Sequence, residues 1–247
     1  MKYLLIPAII LLLLGIYLNR TYAYFYDFQG DHFIGNPAYP QKHLFETGEK
    51  FETKKLAILG DSLMAGTGST RIENSMPYLI GQNMAKGQNI ELYNFAQPGV
   101  GVDDVLNRQI PEATLSKPDY IILMIGTNDV HNRMSEEEFN HKFSLVLDEL
   151  RSQTEASITV VNIPYIGSYE ILFRPWDCVL ISRLEAFNKI IATDVSGRMN
   201  IELVDLYTNS LSDFKESSDL YASDQFHPSD KGYNLWAKFI SQNMNSQ

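Results

Sequence analysis

Four short segments of the 247-residue chain put residues capable of nucleophilic catalysis beside tight turns. The first is Gly60-Asp61-Ser62-Leu63, directly after the apolar run Leu56–Leu59. A serine at a strand-to-helix turn exposes its hydroxyl at a sheet edge and keeps its own N–H at a nascent helix end. The spacing is not the GxSxG of an ordinary nucleophile elbow, because Met64 stands where that turn needs glycine. The second segment is Asn94-Phe95-Ala96-Gln97-Pro98-Gly99, and the third is Gly126-Thr127-Asn128-Asp129. A backbone N–H at Gly99 and a side-chain amide at Asn128, joined to the Ser62 N–H, are the donors a developing oxyanion requires. The fourth is Asp224-Gln225-Phe226-His227-Pro228. An aspartate three residues before a histidine can hold its imidazole in the tautomer that accepts a proton, and such a base activates a serine hydroxyl.

Each segment alone has a plainer explanation. Ser62 fits a helix N-cap, and the glycine-bearing segments fit turns in which Asn or Asp bonds its own backbone. Asp224 and His227 fit a turn carboxylate and a surface imidazole. In combination and in this order the segments are distinctive, and residues 55–243 resemble the SGNH/GDSL hydrolase family, the four segments matching its blocks I, II, III and V. The resemblance implies Ser62 as nucleophile, Ser62 N–H, Gly99 and Asn128 as the oxyanion hole, and His227 as base oriented by Asp224. It also implies a flavodoxin-like fold with strand order 2-1-3-4-5. Pro98 departs from the small polar residue often found there; it removes a donor at 98 and leaves the Gly99 N–H. The expected activity is that of a serine esterase working through an acyl-enzyme, on an acylated envelope carbohydrate or a lysophospholipid-like ester. The alternatives are a non-catalytic, membrane-tethered module binding glycan or protein, and an O-acyltransferase using the same triad.

Other polar and aromatic residues receive more modest expectations. The segment Pro164–Asp177 carries Tyr165, Tyr169, Phe173 and Trp176, rings that suit a sugar face or an acyl groove, and Tyr165, Tyr169 and Trp176 are the candidate substrate-binding residues. His131 reads as a surface-loop histidine and His141 as a solvated one. Asp61 and Asp129 read as turn braces bonded to backbone. The acidic stretch Asp213–Asp224 reads as a solvated loop.

The elements that must position these groups follow from hydropathy. Candidate strands are Leu56–Leu59, Ile90–Phe95, Tyr120–Ile125, Ile158–Ile163 and Ile201–Leu206. Most are unbroken aliphatic runs, as in a parallel sheet covered on both faces. Between them, Ser135 and Glu138 form a candidate capping box, followed by Phe139, Phe143, Val146, Leu147 and Leu150 at helical spacing. Val179–Thr193 and Lys231–Met244 are further helices. The alternation predicts an α/β fold, a three-layer α/β/α sandwich on a parallel sheet of about five strands. Ligands of such sheets bind beyond the carboxyl ends of the strands.

The run Tyr3–Leu18 is uncharged. As a helix it rises roughly 24 Å, a little short of a hydrocarbon core of about 30 Å. A membrane anchor and a signal segment both fit, with Thr21-Tyr22-Ala23 a mediocre cleavage site. Tyr22, Tyr24, Phe25, Tyr26 and Phe28 follow, suited either to a headgroup belt or to packing on the domain. The expected organisation is an anchor or signal over 1–20, a juxtamembrane tether over 21–50 and a hydrolase domain over 51–247. The domain then lies outside the cytoplasm, membrane-anchored or secreted after cleavage. Net charge is −10, which disfavours a duplex nucleic-acid partner. The single cysteine, Cys178, excludes an internal disulfide, and the five histidines lack tight metal-ligand spacing. Neither a metal nor another cofactor is expected, and oligomeric state is left open.

Overall fold

The computed structural model describes residues 2–32, 34–35, 42–48 and 51–244. The apolar runs become strands, the central three buried on both faces and the two that flank them only partly buried. They are β2 (Thr53–Gly60), β3 (Asn89–Asn94), β4 (Tyr120–Met124), β5 (Ser157–Val161) and β6 (Ile201–Val204), preceded by a short β1 (Lys42–Phe45). The six-stranded sheet runs β1-β3-β2-β4-β5-β6. The last five strands pair in parallel, and β1 adds antiparallel to β3. The parallel strands keep the expected 2-1-3-4-5 order, and β1 is the addition.

β1 falls inside the stretch expected to be tether. Four residues are too few for a periodic signal, and Phe45 at its end supplies the reason for pairing. The Phe45 ring is buried against Tyr78 and the open face of Gly81, while Lys42 forms an ion pair with Glu91 of β3 at 2.6 Å. Much of the remaining tether expectation, residues 33, 36–41 and 49–50, lies outside the described residues.

Helices cover both faces of the sheet. α1 (Lys2–Asp31) precedes it, and α2 (Ser62–Ala65) and α3 (Met76–Met84) link β2 to β3. Between β3 and β4, α4 (Val102–Asp104) runs through a π turn, Val105–Gln109, into α5 (Ile110–Leu115). α6 (Thr127–His131) and α7 (Glu136–Gln153) follow β4, α8 (Trp176–Ser196) follows β5, and α9 (Leu206–Glu216) and α10 (Asp230–Met244) close the chain. α3 packs with α10, and α7 with α8. α7 buries Phe139, Phe143, Val146, Leu147 and Leu150 as their spacing predicts. Its cap is half the expected box. Ser135 accepts from the Glu138 N–H at 3.1 Å, but the Glu138 carboxylate pairs with Lys142 at 2.8 Å. The acidic stretch is also less loop-like than expected: it completes α9, buries Phe214 and ends in a buried Asp224.

α1 does not stop at Asn19-Arg20. It continues unbroken to Asp31, and only its first part is free of the domain. Ile6 to Ile16 are exposed apolar side chains, and the helix is long and apolar enough to cross a bilayer. From Tyr17 onward it docks. The Tyr17 hydroxyl donates to the Arg174 carbonyl at 2.8 Å, and the Trp176 indole N–H donates to Thr21 Oγ1 at 3.0 Å. Tyr22 lies against Trp176 and Tyr24 against Phe173.

Candidate active site

Ser62 follows β2 by two residues, and the turn between is held from a distance. Gly60 has φ +150°, and a Cβ there would stand 2.3 Å from the Met124 carbonyl oxygen of β4, so no side chain fits. Its N–H donates to Gln109 Oε1 at 2.8 Å and its C=O accepts from Gln109 Nε2 at 2.9 Å, both buried. Asp61 is fully buried and caps α2 by accepting from the Leu63 N–H at 3.0 Å. Burial pushes its carboxyl up to about 6, with the Leu63 N–H opposing.

The other segments converge on the same carboxyl edge. Asp224, 5% exposed, accepts from the N–H groups of Phe226 and His227 at 3.0 Å each through Oδ1. Its Oδ2 lies 2.6 Å from His227 Nδ1, and His227 Nε2 lies 2.9 Å from Ser62 Oγ. With the proton on Nδ1, donated to Asp224, Nε2 is left to accept from the serine hydroxyl. Gly68 makes this approach possible: its φ is +102°, and a Cβ would meet the Pro228 carbonyl at 2.4 Å and His227 Cβ at 3.0 Å.

Gly99 and Asn128 line the same cleft as Ser62 and His227, a space of about 410 Å³. Asn128 Nδ2 donates one hydrogen to the Val100 carbonyl at 2.8 Å, which fixes the plane of the amide and ties the third segment to the second. Asp129 reinforces that tie by accepting from the Val102 N–H at 3.2 Å; burial raises its carboxyl to about 6. Both aspartates therefore brace turns, as their spacing predicts.

Residues unmarked by any motif complete the cleft. Phe25, Tyr26 and Gln29 of α1 line it. Phe25 is buried, with its ring parallel to His131 at 6.0 Å and edge-on to Phe226 at 6.2 Å. The spacing of Tyr22, Phe25 and Tyr26 along one helix face was the available signal. His131 is thus a cleft residue rather than a surface-loop one. Burial, with smaller contributions from Arg183 and His227, pulls its imidazole down to about 4. His141 is exposed as expected.

The aromatic candidates for substrate contact lie elsewhere. Tyr165 is buried, Tyr169 is exposed, and Trp176 is committed to Thr21 and Tyr22; none of the three lines the Ser62 cleft. After β5, Tyr165 turns inward and Phe173 and Trp176 face α1, while Tyr169 faces solvent. Among the described residues, no group of His, Cys, Asp and Glu is arranged to hold a metal ion.

The arrangement of Asp224, His227 and Ser62 can pass a proton from hydroxyl to imidazole, beside a cleft that Gly99 and Asn128 also line. A search of curated protein sequences finds no match. Solved structures share the fold. A lipase/acylhydrolase from Enterococcus faecalis is 22% identical, with a TM-score of 0.64 over 77% of this chain and 95% of that one. The structure of TesA is 17% identical, with a TM-score of 0.64 over 78% and 98%. Axe2, an acetylxylan esterase from Geobacillus stearothermophilus, is 20% identical, with a TM-score of 0.59 over 78% and 95%. The profile of the GDSL-like lipase/acylhydrolase family matches residues 58–235, a span that holds all four chemistry-bearing segments, and the chain belongs to that family.

Proposed function

We propose that the protein hydrolyses carboxylic esters through a Ser62 acyl-enzyme. The observation that carries this reading is the unbroken line of hydrogen bonds from Asp224 Oδ2 through His227 to Ser62 Oγ, at 2.6 and 2.9 Å. His227 Nε2 takes the hydroxyl proton as Ser62 Oγ bonds to the ester carbonyl carbon. The resulting oxyanion is received by the N–H groups of Ser62 and Gly99 and by the second hydrogen of the Asn128 amide. Collapse breaks the carbon–oxygen bond to the alcohol, which leaves with the proton from Nε2. Water then gives a proton to Nε2, attacks the acyl-enzyme and releases the acid, and Ser62 recovers its proton. Asp224 orients the imidazole and stabilises its cation without taking the proton.

Family members of similar fold include lipases and an acetylxylan esterase, so both lipid and glycan esters are candidate substrates. The test is hydrolysis of p-nitrophenyl esters from acetate to palmitate by the full chain and by Ser62→Ala. The expected result is turnover in the first and, in the second, only the residue of about 10³–10⁴ over water that binding and the oxyanion hole supply. A folded protein inert toward every ester would overturn the reading in favour of a binding module.

A further inference from the structure

Three spaces adjoin one another, and α1 walls the first two. Nearest the apolar half is a recess of about 120 Å³ between α1 and α8, lined by Thr21, Tyr22, Phe25, Ile171, Trp176 and Leu180. Next comes the Ser62 cleft, which shares Phe25, Tyr26 and His131 with the recess as a common wall and extends to Gln29 and Ile34. Beyond it, sharing Ile34, is a groove of about 520 Å³ lined by Ser69, Thr70, Asp219, Ser223, Asp230 and Lys231. The recess is the most apolar of the three, although Arg133 and Arg183 also line it, and the outer groove mixes Asp219, Asp230 and Lys231 with Ile34 and Ala222.

The same helix carries the apolar run that ends at Leu18. Phe25 lies about 10 Å further along the axis, at 1.5 Å per residue. The headgroup layer on each side of a hydrocarbon core is about 5–8 Å thick. Because Tyr17 already bonds to Arg174, no slack separates the apolar run from the domain.

We propose that α1 is a working part of the site: it walls the Ser62 cleft and the neighbouring recess and sets both at the bilayer surface, so that single-chain acyl esters held in a membrane are hydrolysed in preference to esters in solution. The acyl chain of such an ester points toward the bilayer and the recess, and its polar alcohol toward the outer groove. The proposal rests on the ester-hydrolase reading above.

The test uses the full chain in phosphatidylcholine vesicles. Fatty-acid release from monopalmitoyl lysophosphatidylcholine in the vesicles is compared with hydrolysis of p-nitrophenyl acetate in the surrounding buffer. In one variant, twenty Gly/Ser residues are inserted between Asn19 and Arg20. The insert leaves Thr21–Gln29 intact but lets the cleft wander about 25 Å from the surface. The ratio of lysolipid to acetate turnover is expected to fall at least fivefold. Trp176 and Trp236 are the two tryptophans. Trp176 is half-buried beside Thr21, and Trp236 lies in the core. Brominated lipid is therefore expected to quench the emission of the unmodified protein, and Trp176→Phe to abolish most of that quenching; this reading is independent of how well the insertion folds. An unchanged ratio, or no quenching of Trp176, overturns the proposal. Acetate turnover without lysolipid turnover overturns it while leaving the esterase standing, whereas loss of both in the folded, unmodified protein removes the esterase reading itself.

Discussion

On the sheet side of the Ser62 cleft, hydrogen bonds tie the chemistry-bearing segments together. Gln109 takes both backbone groups of Gly60, Asn128 holds Val100, Asp129 holds Val102, and Asp224 satisfies two N–H groups and an imidazole. On the α1 side, hydrogen bonds such as Trp176 to Thr21 are few, and the contacts nearest the cleft are rings: Phe25 on His131 and Phe226, Tyr22 on Trp176, Tyr24 on Phe173. Hydrogen bonds weaken steeply with misalignment, whereas burial of rings tolerates small displacements because it depends on area. Proton transfer needs the first kind of support. A wall needs only the second.

The contrast breaks if the two sides respond alike to substitution. The largest effect is expected at the site itself, where Asn128→Ala should lower kcat about 10²–10³-fold by removing one oxyanion donor; stopped-flow measurement of p-nitrophenyl acetate turnover gives the value, and an unchanged kcat would take Asn128 out of the role. Next comes Gln109→Ala. It strands a buried N–H and a buried C=O on Gly60 and should cost about 3 kcal/mol in urea unfolding, on the scale of unsatisfied buried groups.

A smaller pair of effects has opposite signs on the two sides. In the folded chain Asp61 keeps its proton up to about 6, against 3.8 when unfolded, because burial disfavours the anion. Through that group stability falls as pH rises from about 4 to about 6. His131 gains its proton only near 4 when folded, against 6.5 when unfolded, again through burial. Through that group stability is full above 6.5 and is lost as pH falls toward 4. Thermal melts between pH 4 and 7 should therefore show Asp61→Asn gaining on the unmodified protein as pH rises, and His131→Phe gaining as pH falls. The smallest effect belongs to Trp176→Phe, which removes the half-buried bond to Thr21 and should cost about 1 kcal/mol or less in the same urea assay.

What could be read from the sequence divides along the same line. The strands β2, β4 and β5 announce themselves because burial on both faces makes them continuous apolar runs. The Ser62, Gly99, Asn128 and Asp224–His227 segments announce themselves because their chemistry is compressed into four or five residues each. Gln109 is silent, since its partner Gly60 lies far away in sequence and a glutamine on a helix carries no local mark. The π turn that precedes α5 is equally unmarked. Phe25 is ambiguous rather than silent: an aromatic after an apolar run suits a headgroup layer and a protein surface alike, and only His131 and Phe226, brought near by the fold, decide between them. β1 escaped notice because glycine and proline around it suggested a linker, while a single buried ring, Phe45, was enough to seat it.

The continuity of α1 also bears on how the chain can mature. A proteolytic cut after Ala23, the position suggested by Thr21-Tyr22-Ala23, would fall inside the helix. It would discard Tyr17, Thr21 and Tyr22, with their contacts to Arg174 and Trp176. Tyr24 would become the new amino terminus. Phe25 would then sit in the first turn of a fraying helix, where N–H groups lack partners and a terminal ammonium opposes the dipole. Processing at that point and an ordered cleft wall are mutually exclusive, so the mass of the mature polypeptide reports which form of the site the cell keeps.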